Sequence, residues 1–239
     1  MEPEYVAIYA GLTRRHWWWR ARSAVVLEHV AALAADRGRP LRILDVGCAD
    51  GYLLPELARF GRAEGLEPTP GLGPAAGDVA IHPQSLESFA PAARFDLLLL
   101  LDVLEHLPDP IAFLGHAARL LEPGGAVLIT VPAGRLLWTT HDDLNLHLRR
   151  YDRQSLAAEL AAAGFTATRH EYFFHALALA KLGQRGLERL GGGSRRLPGL
   201  PPAWLNTAAG ACLRLERRLT RGLALPFGAS LLAVARPAG

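Results

Sequence analysis

The sequence predicts an α/β chain built on a doubly wound parallel sheet with helices on both faces, and three observations predict it. Residues 41–51 read LRILDVGCADG, an apolar run that closes on an Asp and two glycines. Glu67, on the next apparent strand, follows Gly47 by about the twenty residues expected of an acidic ligand to a ribose diol. Apolar runs of strand length then alternate with helical segments, and such alternation demands crossover connections and a parallel sheet.

Each element has its own signal. Helical periodicity over residues 6–35 gives one or two helices before the sheet, with Gly38 and Pro40 as the break, so residues 1–38 form a helical cap over the cleft. Leu41, Ile43, Leu44 and Val46 suit a buried parallel strand, Gly47 to Gly51 a tight turn, and residues 52–60 a helix. A strand around Leu66, a compressed Gly/Pro-rich stretch where a second crossover helix belongs, and a short strand over residues 79–82 follow. After a fourth and a fifth strand, Asp152 caps a helix over residues 154–163 by accepting from exposed amides, and Gly164 ends it. Residues 166–174 and 230–236 read as the sixth and seventh strands. The insert between them, roughly residues 176–228 within a lid region 175–229, carries GGGS (191–194) and LPGLPP (197–202) as linkers and predicts two short helices.

Composition narrows the class. The chain has 239 residues, half of them hydrophobic, which fits a single domain over residues 1–239. Apolar stretches are strand length and interrupted by Asp or Pro, and no charged n-region with a cleavage site opens the sequence, so neither a membrane span nor a signal peptide is expected. Two cysteines, Cys48 and Cys212, make no disulfide framework, and a reducing cytoplasm is the expected compartment. Net charge is only +3, but residues 181–221 hold nine Lys or Arg against Glu188 and Glu216. That excess suits a solvated helix surface, weak contact with anionic membrane or a phosphorylated substrate; no basic stripe interleaved with aromatics supports nucleic-acid binding.

Glycines in the turn after residue 46 let the backbone approach a ligand, and Glu67 offers charge-assisted acceptors to a diol, which together suit an adenosyl group. The G-x-G-x-x-G of a nicotinamide site is absent; the turn is Gly47-Cys48-Ala49-Asp50-Gly51, with Asp45 before it. This arrangement resembles the first motif of class I S-adenosylmethionine-dependent methyltransferases, usually D-V-G-C-G-x-G, with Ala49 at the middle glycine. FDLLLLLDVLEHLPDP (95–110) looks like that family's fourth strand and loop, LLEPGG (120–125) like the turn before its fifth strand, and GAVLITVPA like the strand itself. HWWWRAR (16–22) and LLWTTHDDLNLHLRRY (136–151) are similar to segments of one small-molecule subgroup that reads HWWF-x-x-R and HD-x-x-x-x-H-x-RRY. The resemblance implies a Rossmann-like, mostly parallel seven-stranded sheet whose seventh strand runs antiparallel between the fifth and the sixth.

It also implies roles. Asp45, Gly47, Cys48, Ala49, Gly51, Glu67, Pro68, Ser85, Leu86, Asp102 and Val103 are the expected cofactor residues, with Arg22 reaching toward the methionine carboxylate. Methyl transfer from a sulfonium is an in-line displacement, so alignment and exclusion of water come first, and a hydroxyl acceptor gains from a general base. His106, His141 and His147 are the histidine candidates; His141 with Asp142 is favoured for catalysis and His106 is the second choice. Trp18, His147, Arg149, Arg150 and Tyr151 are expected on the substrate side, though the two arginines suit a tie to Asp142 or Asp143 equally well. Asp102, Glu105 and His106 have ligand types for a divalent cation, and an E-x-x-E-H version is a metal site in the ubiquinone O-methyltransferases. Here the first acid is Asp102, no metal is expected, and Mg is the alternative. The expectation is a cytoplasmic enzyme methylating a small molecule, most readily at oxygen, with S-adenosylhomocysteine as the other product. The alternatives are a non-catalytic cofactor-binding protein and a peripheral membrane enzyme with a lipid-linked acceptor; nothing in the sequence sets the oligomeric state.

Overall fold

The structure, a computed structural model, describes residues 12–69, 79–187 and 199–238. Seven strands, β1 (Leu41–Val46), β2 (Gly61–Leu66), β3 (Ile81–His82), β4 (Phe95–Leu101), β5 (Leu121–Pro132), β6 (Phe165–Phe173) and β7 (Ser230–Pro237), form one sheet in the order β3-β2-β1-β4-β5-β7-β6. The strands from β3 to β5 pair in parallel, while β7 is antiparallel to both β5 and β6. Helices are α1 (Trp17–Arg37), α2 (Leu54–Leu57), α3 (Pro110–Leu120), α4 (Thr140–Leu144), α5 (Arg153–Ala162), α6 (His175–Leu187) and α7 (Ala203–Thr220).

The leucine run of β4 is buried throughout because both faces of a central parallel strand are covered. Leu97, Leu99 and Leu101 join Val25, Val26 and Val30 of α1, Leu54 and Leu57 of α2, Ala178 of α6 and Leu213 of α7 in one core. Leu98 and Leu100 face the opposite core, with Phe113 and Leu114 of α3 and Leu156 and Leu160 of α5. At the amino-terminal edge of β4, buried Asp96 accepts from Arg37 Nε at 3.0 Å, Arg39 at 3.0 and 2.6 Å, and the Arg42 amide at 2.9 Å, which ties the end of α1 to the sheet.

Local chemistry sets the helix ends. His16 Nδ1 caps α1 by accepting from the Trp18 amide at 3.1 Å, and Gly38, at φ +66°, closes its other end. Asp152 and Ser155 form a capping box on α5, as the sequence predicts. The helix expected over residues 52–60 is corrected: only α2 and a 3-10 turn over Ala58–Phe60 form. Gly61 sits at φ +147°, where a Cβ would lie 2.1 Å from the Leu41 carbonyl oxygen, so the chain must turn at once into β2. The insert helices α6 and α7 have 13 and 18 residues, longer than the short pair expected. Residues 6–11 of the predicted N-terminal helix, the compressed crossover at 70–78, GGGS and the start of LPGLPP lie outside the described residues. No helix among the described residues is long and apolar enough to cross a membrane.

Candidate active site

At the carboxyl ends of β1, β4 and β5 a cavity of about 820 Å³ opens, roofed by the first turns of α1 and one face of α6. The glycine turn forms its floor. The Gly47 and Cys48 amides both donate to the Leu66 carbonyl at 2.8 and 3.1 Å, and the Ala49 amide donates to Glu67 Oε2 at 2.9 Å. The other Glu67 oxygen accepts the Thr69 amide at 2.9 Å, so each oxygen keeps a second lone pair for a diol. Gly47 and Gly51 have φ of +73° and +70°, while Ala49 takes the same left-handed region at +52°. Asp45, buried at the end of β1, has its carboxyl pushed up to about 7: burial drives the rise, Arg22 opposes it and Glu67 adds to it.

Arg22 reaches across from α1. It donates to the Leu101 carbonyl and to the Tyr52 hydroxyl, both at 2.9 Å, and its Nε lies 2.7 Å from Asp102 Oδ2. Asp102 also accepts from Thr130 and holds φ at +57° at the turn out of β4. The negative charge at this end of the cavity is thus shared with one guanidinium.

The opposite wall carries a second, independent cluster. Asp142 is fully buried; its Oδ1 lies 2.8 Å from His147 Nδ1 and accepts Arg150 Nε at 2.9 Å, and its Oδ2 accepts the Thr139 amide at 2.9 Å. Burial alone would raise the Asp142 carboxyl, but the His147 hydrogen bond and the Arg150 charge bring it well below the ordinary carboxylate range. A carboxylate on Nδ1 assigns the proton there and leaves Nε2 of His147 as the acceptor. His147 and His106 meet edge to face with ring centroids 4.9 Å apart. Burial, then the neighbouring His147, lowers His106 to about 4. Burial, then Lys181, lowers His141 to about 4 as well, and its Nε2 lies 3.1 Å from the Asn145 side-chain amide.

Glu105 is fully buried beside these histidines, and among the described residues neither of its oxygens has a hydrogen-bond partner. Burial and the adjacent Asp102 push its carboxyl well above the usual range. Among the described residues, Glu105, His106 and His147 each bring one ligand atom within 4.8 Å of the others and could hold a cation; mixed nitrogen and oxygen donors suit a transition metal better than Mg. Asp102, the acid named for a cation from the sequence, is instead engaged by Arg22.

Residues 18–170 match a protein family described as a methyltransferase domain. The chain belongs to this methyltransferase family. It is 33% identical over 142 residues to a ubiquinone biosynthesis O-methyltransferase of Xanthomonas campestris, which covers 51% of this chain and 58% of that protein. A probable S-adenosylmethionine-dependent methyltransferase of Mycolicibacterium smegmatis is 31% identical over 192 residues, 73% of this chain and 69% of the relative. The fold is shared with Burkholderia thailandensis 1,6-didemethyltoxoflavin-N1-methyltransferase, solved with its substrate and S-adenosylhomocysteine, at a TM-score of 0.57 and 20% identity over 100% of this chain and 92% of that one. The chain spans little more than half the length of the Xanthomonas relatives it matches.

The methyltransferase cavity gathers Arg22, Asp45, Gly47, Cys48, Ala49, Asp102, Trp18, His106, His141 and His147 from the sequence-predicted set. Gly51, Glu67 and Pro68 stand beside its floor and not in its wall. Ser85 hydrogen-bonds Ser88, Leu86 is buried in the core under β4, and Val103 packs on that core's edge. Arg149, Arg150 and Tyr151 do not line the cavity. Arg150 bonds Asp142 and the Ala133 carbonyl, Arg149 bonds the Leu107 and Pro108 carbonyls, and the Tyr151 hydroxyl bonds Glu159, so Arg150 makes the tie to Asp142 while Arg149 is turned to other partners. Sequence reasoning missed Tyr52, Asn145, Lys181 and Gln184 in the wall. The last two had a signal: with Leu177 and Ala180 they recur at helical spacing along one face of α6.

Proposed function

We propose that this chain transfers a methyl group from S-adenosylmethionine to a hydroxyl of a small molecule. The observation that carries the reading is that His147, held from behind by the buried Asp142, lines the same cavity as Asp45 and the glycine turn, with Glu67 bound to the back of that turn. The floor fits the cofactor: Glu67 has lone pairs for a ribose diol, the glycine turn admits close backbone approach, and the Asp45 and Asp102 carboxylates favour a cationic sulfonium. S-adenosylmethionine, when bound, would supply an electrophilic methyl on a sulfonium, open to in-line attack with S-adenosylhomocysteine as the leaving group. His147 accepts the acceptor's hydroxyl proton at Nε2, Asp142 holds the ring and offsets the imidazolium charge, and Trp17 to Trp19 with α6 exclude water. His106, lowered to about 4 by burial and by the neighbouring His147, is a weak base. The O-methyltransferase relatives named above support oxygen as the acceptor atom.

Calorimetric titration tests it. The chain is expected to bind S-adenosylmethionine and S-adenosylhomocysteine at micromolar levels and not NAD, with binding abolished in Glu67→Ala. With an acceptor from a screen of hydroxylated compounds, His147→Ala is expected to lower kcat by about 10²- to 10⁴-fold, while His141→Ala has a smaller effect. Absence of binding by folded protein would end the reading; an equal loss in both histidine variants would end the assignment of the base.

A further inference from the structure

The helix α7 has two unlike long faces. One packs on α1: Asn206 accepts the Trp17 amide at 2.9 Å, Leu213 is buried, and Arg217 pairs with Glu28 at 3.1 Å. On the opposite face Trp204, Ala208, Ala211, Leu215 and Leu219 recur at helical spacing, and all are exposed, Trp204 at 72%, Leu215 at 57% and Leu219 at 69%. Leu223 extends the stripe past the helix end, where its amide closes a turn on the Thr220 carbonyl. A helix packed on one side has no folding reason to carry a second apolar stripe on the other, and such patches mark interaction surfaces.

Positive charge frames the stripe. Arg14, Arg15 and Arg20 share a shallow depression with Leu200, Pro201 and Ala203 at the amino-terminal end of α7. Arg214 and Arg218 stand on the exposed flank of the helix. Among the described residues none of these five arginines is in an ion pair, whereas Glu28 is already held by Arg217 and Arg221, and Glu216 by the His175 and Ala176 amides. We propose that the outer face of α7 docks on the surface of an anionic lipid bilayer, with Trp204, Leu215 and Leu219 in the acyl boundary and these arginines at the headgroups. A protein partner would bring carboxylates at fixed places; a row of unpaired guanidiniums beside a continuous apolar stripe, one Trp at its end, matches instead the layered polarity of a bilayer. Long arginine stems lie along the apolar stripe while their heads reach phosphate. Because α7 packs against α6, and α6 lines the cavity, docking would hold the catalytic cavity beside the membrane.

Vesicle co-sedimentation tests this, using phosphatidylcholine alone and phosphatidylcholine mixed with phosphatidylglycerol. The full chain is expected to bind the mixed vesicles, weakly or not at all the neutral ones, and less as salt rises. Trp204→Ser with Leu215→Gln and Leu219→Gln is expected to lower partitioning by more than about 30-fold, from the loss of three buried apolar side chains. Arg14→Glu with Arg218→Glu is expected to lower it by at least about 25-fold, near a fivefold loss for each of the two arginines removed. Failure of the unaltered chain to bind mixed vesicles overturns the proposal, as does undiminished binding by the stripe variant. Self-association that the stripe variant abolishes, without vesicle binding, assigns the face to a second copy and also overturns it. Thermal unfolding and S-adenosylhomocysteine titration of the same variants, expected unchanged, separate failure of docking from failure of the methyltransferase reading.

Discussion

Replacing Asp142 by Asn takes one charge from the buried cluster behind the cavity wall. The amide keeps the shape and one acceptor, so the bond to the Thr139 amide survives, but Arg150 is left 4% exposed with only the Ala133 and Gly134 carbonyls. Opposite charges 2.9 Å apart attract by about 6 kcal/mol at an effective dielectric near 20, and stripping one partner from a buried pair costs about 3 to 5 kcal/mol. With an acceptor retained, the loss falls at the lower end, about 3 kcal/mol, or a Tm lower by roughly 6 to 12 °C for a chain of this size. The sign with pH follows from the depressed carboxyl: its stabilisation is complete above the unfolded value, near pH 4, and is lost as pH falls toward the lower folded value. The gap between the two proteins should therefore be flat through neutral pH and close in acid. Thermal unfolding across pH measures it, and Arg150→Met supplies the control, since Asp142→Asn should cost less where no buried cation remains. A wild-type-like Tm for Asp142→Asn at neutral pH would refute the argument.

Two further substitutions probe the floor. Ala49→Gly removes a Cβ from a left-handed residue and is expected to stabilise the fold by up to about 1 kcal/mol by denaturant titration, without weakening S-adenosylhomocysteine binding. Asp45, pushed up to about 7, carries its negative charge only above that pH. Affinity for the cationic S-adenosylmethionine relative to neutral-sulfur S-adenosylhomocysteine should therefore rise by up to about tenfold through neutrality, and Asp45→Asn should flatten that rise in paired calorimetric titrations.

What the sequence made legible was local or periodic. The glycine turn and Glu67 are read within some twenty residues of chain, just after β1, and the leucines of β4 announce a strand covered on both faces. The antiparallel β7 was visible only through family resemblance, because periodicity carries no direction. The histidine wall was hidden for a different reason. Asp142 and three histidines are plain in the sequence, yet which ring meets the carboxylate depends on how α4 ends. There the Leu146 amide bonds the Asp143 carbonyl at 3.1 Å and the His147 amide bonds the Asp142 carbonyl at 3.0 Å, a Schellman closure that folds His147 back onto the side chain five residues earlier. Glycine is the usual residue at the left-handed position of such a closure, but here Leu146 holds φ +56°. The sequence alone pairs Asp142 with the adjacent His141, because nothing at Leu146 signals the turn. The strained leucine is the step that brings His147 to Asp142, and His147→Ala against His141→Ala tests whether catalysis follows that turn.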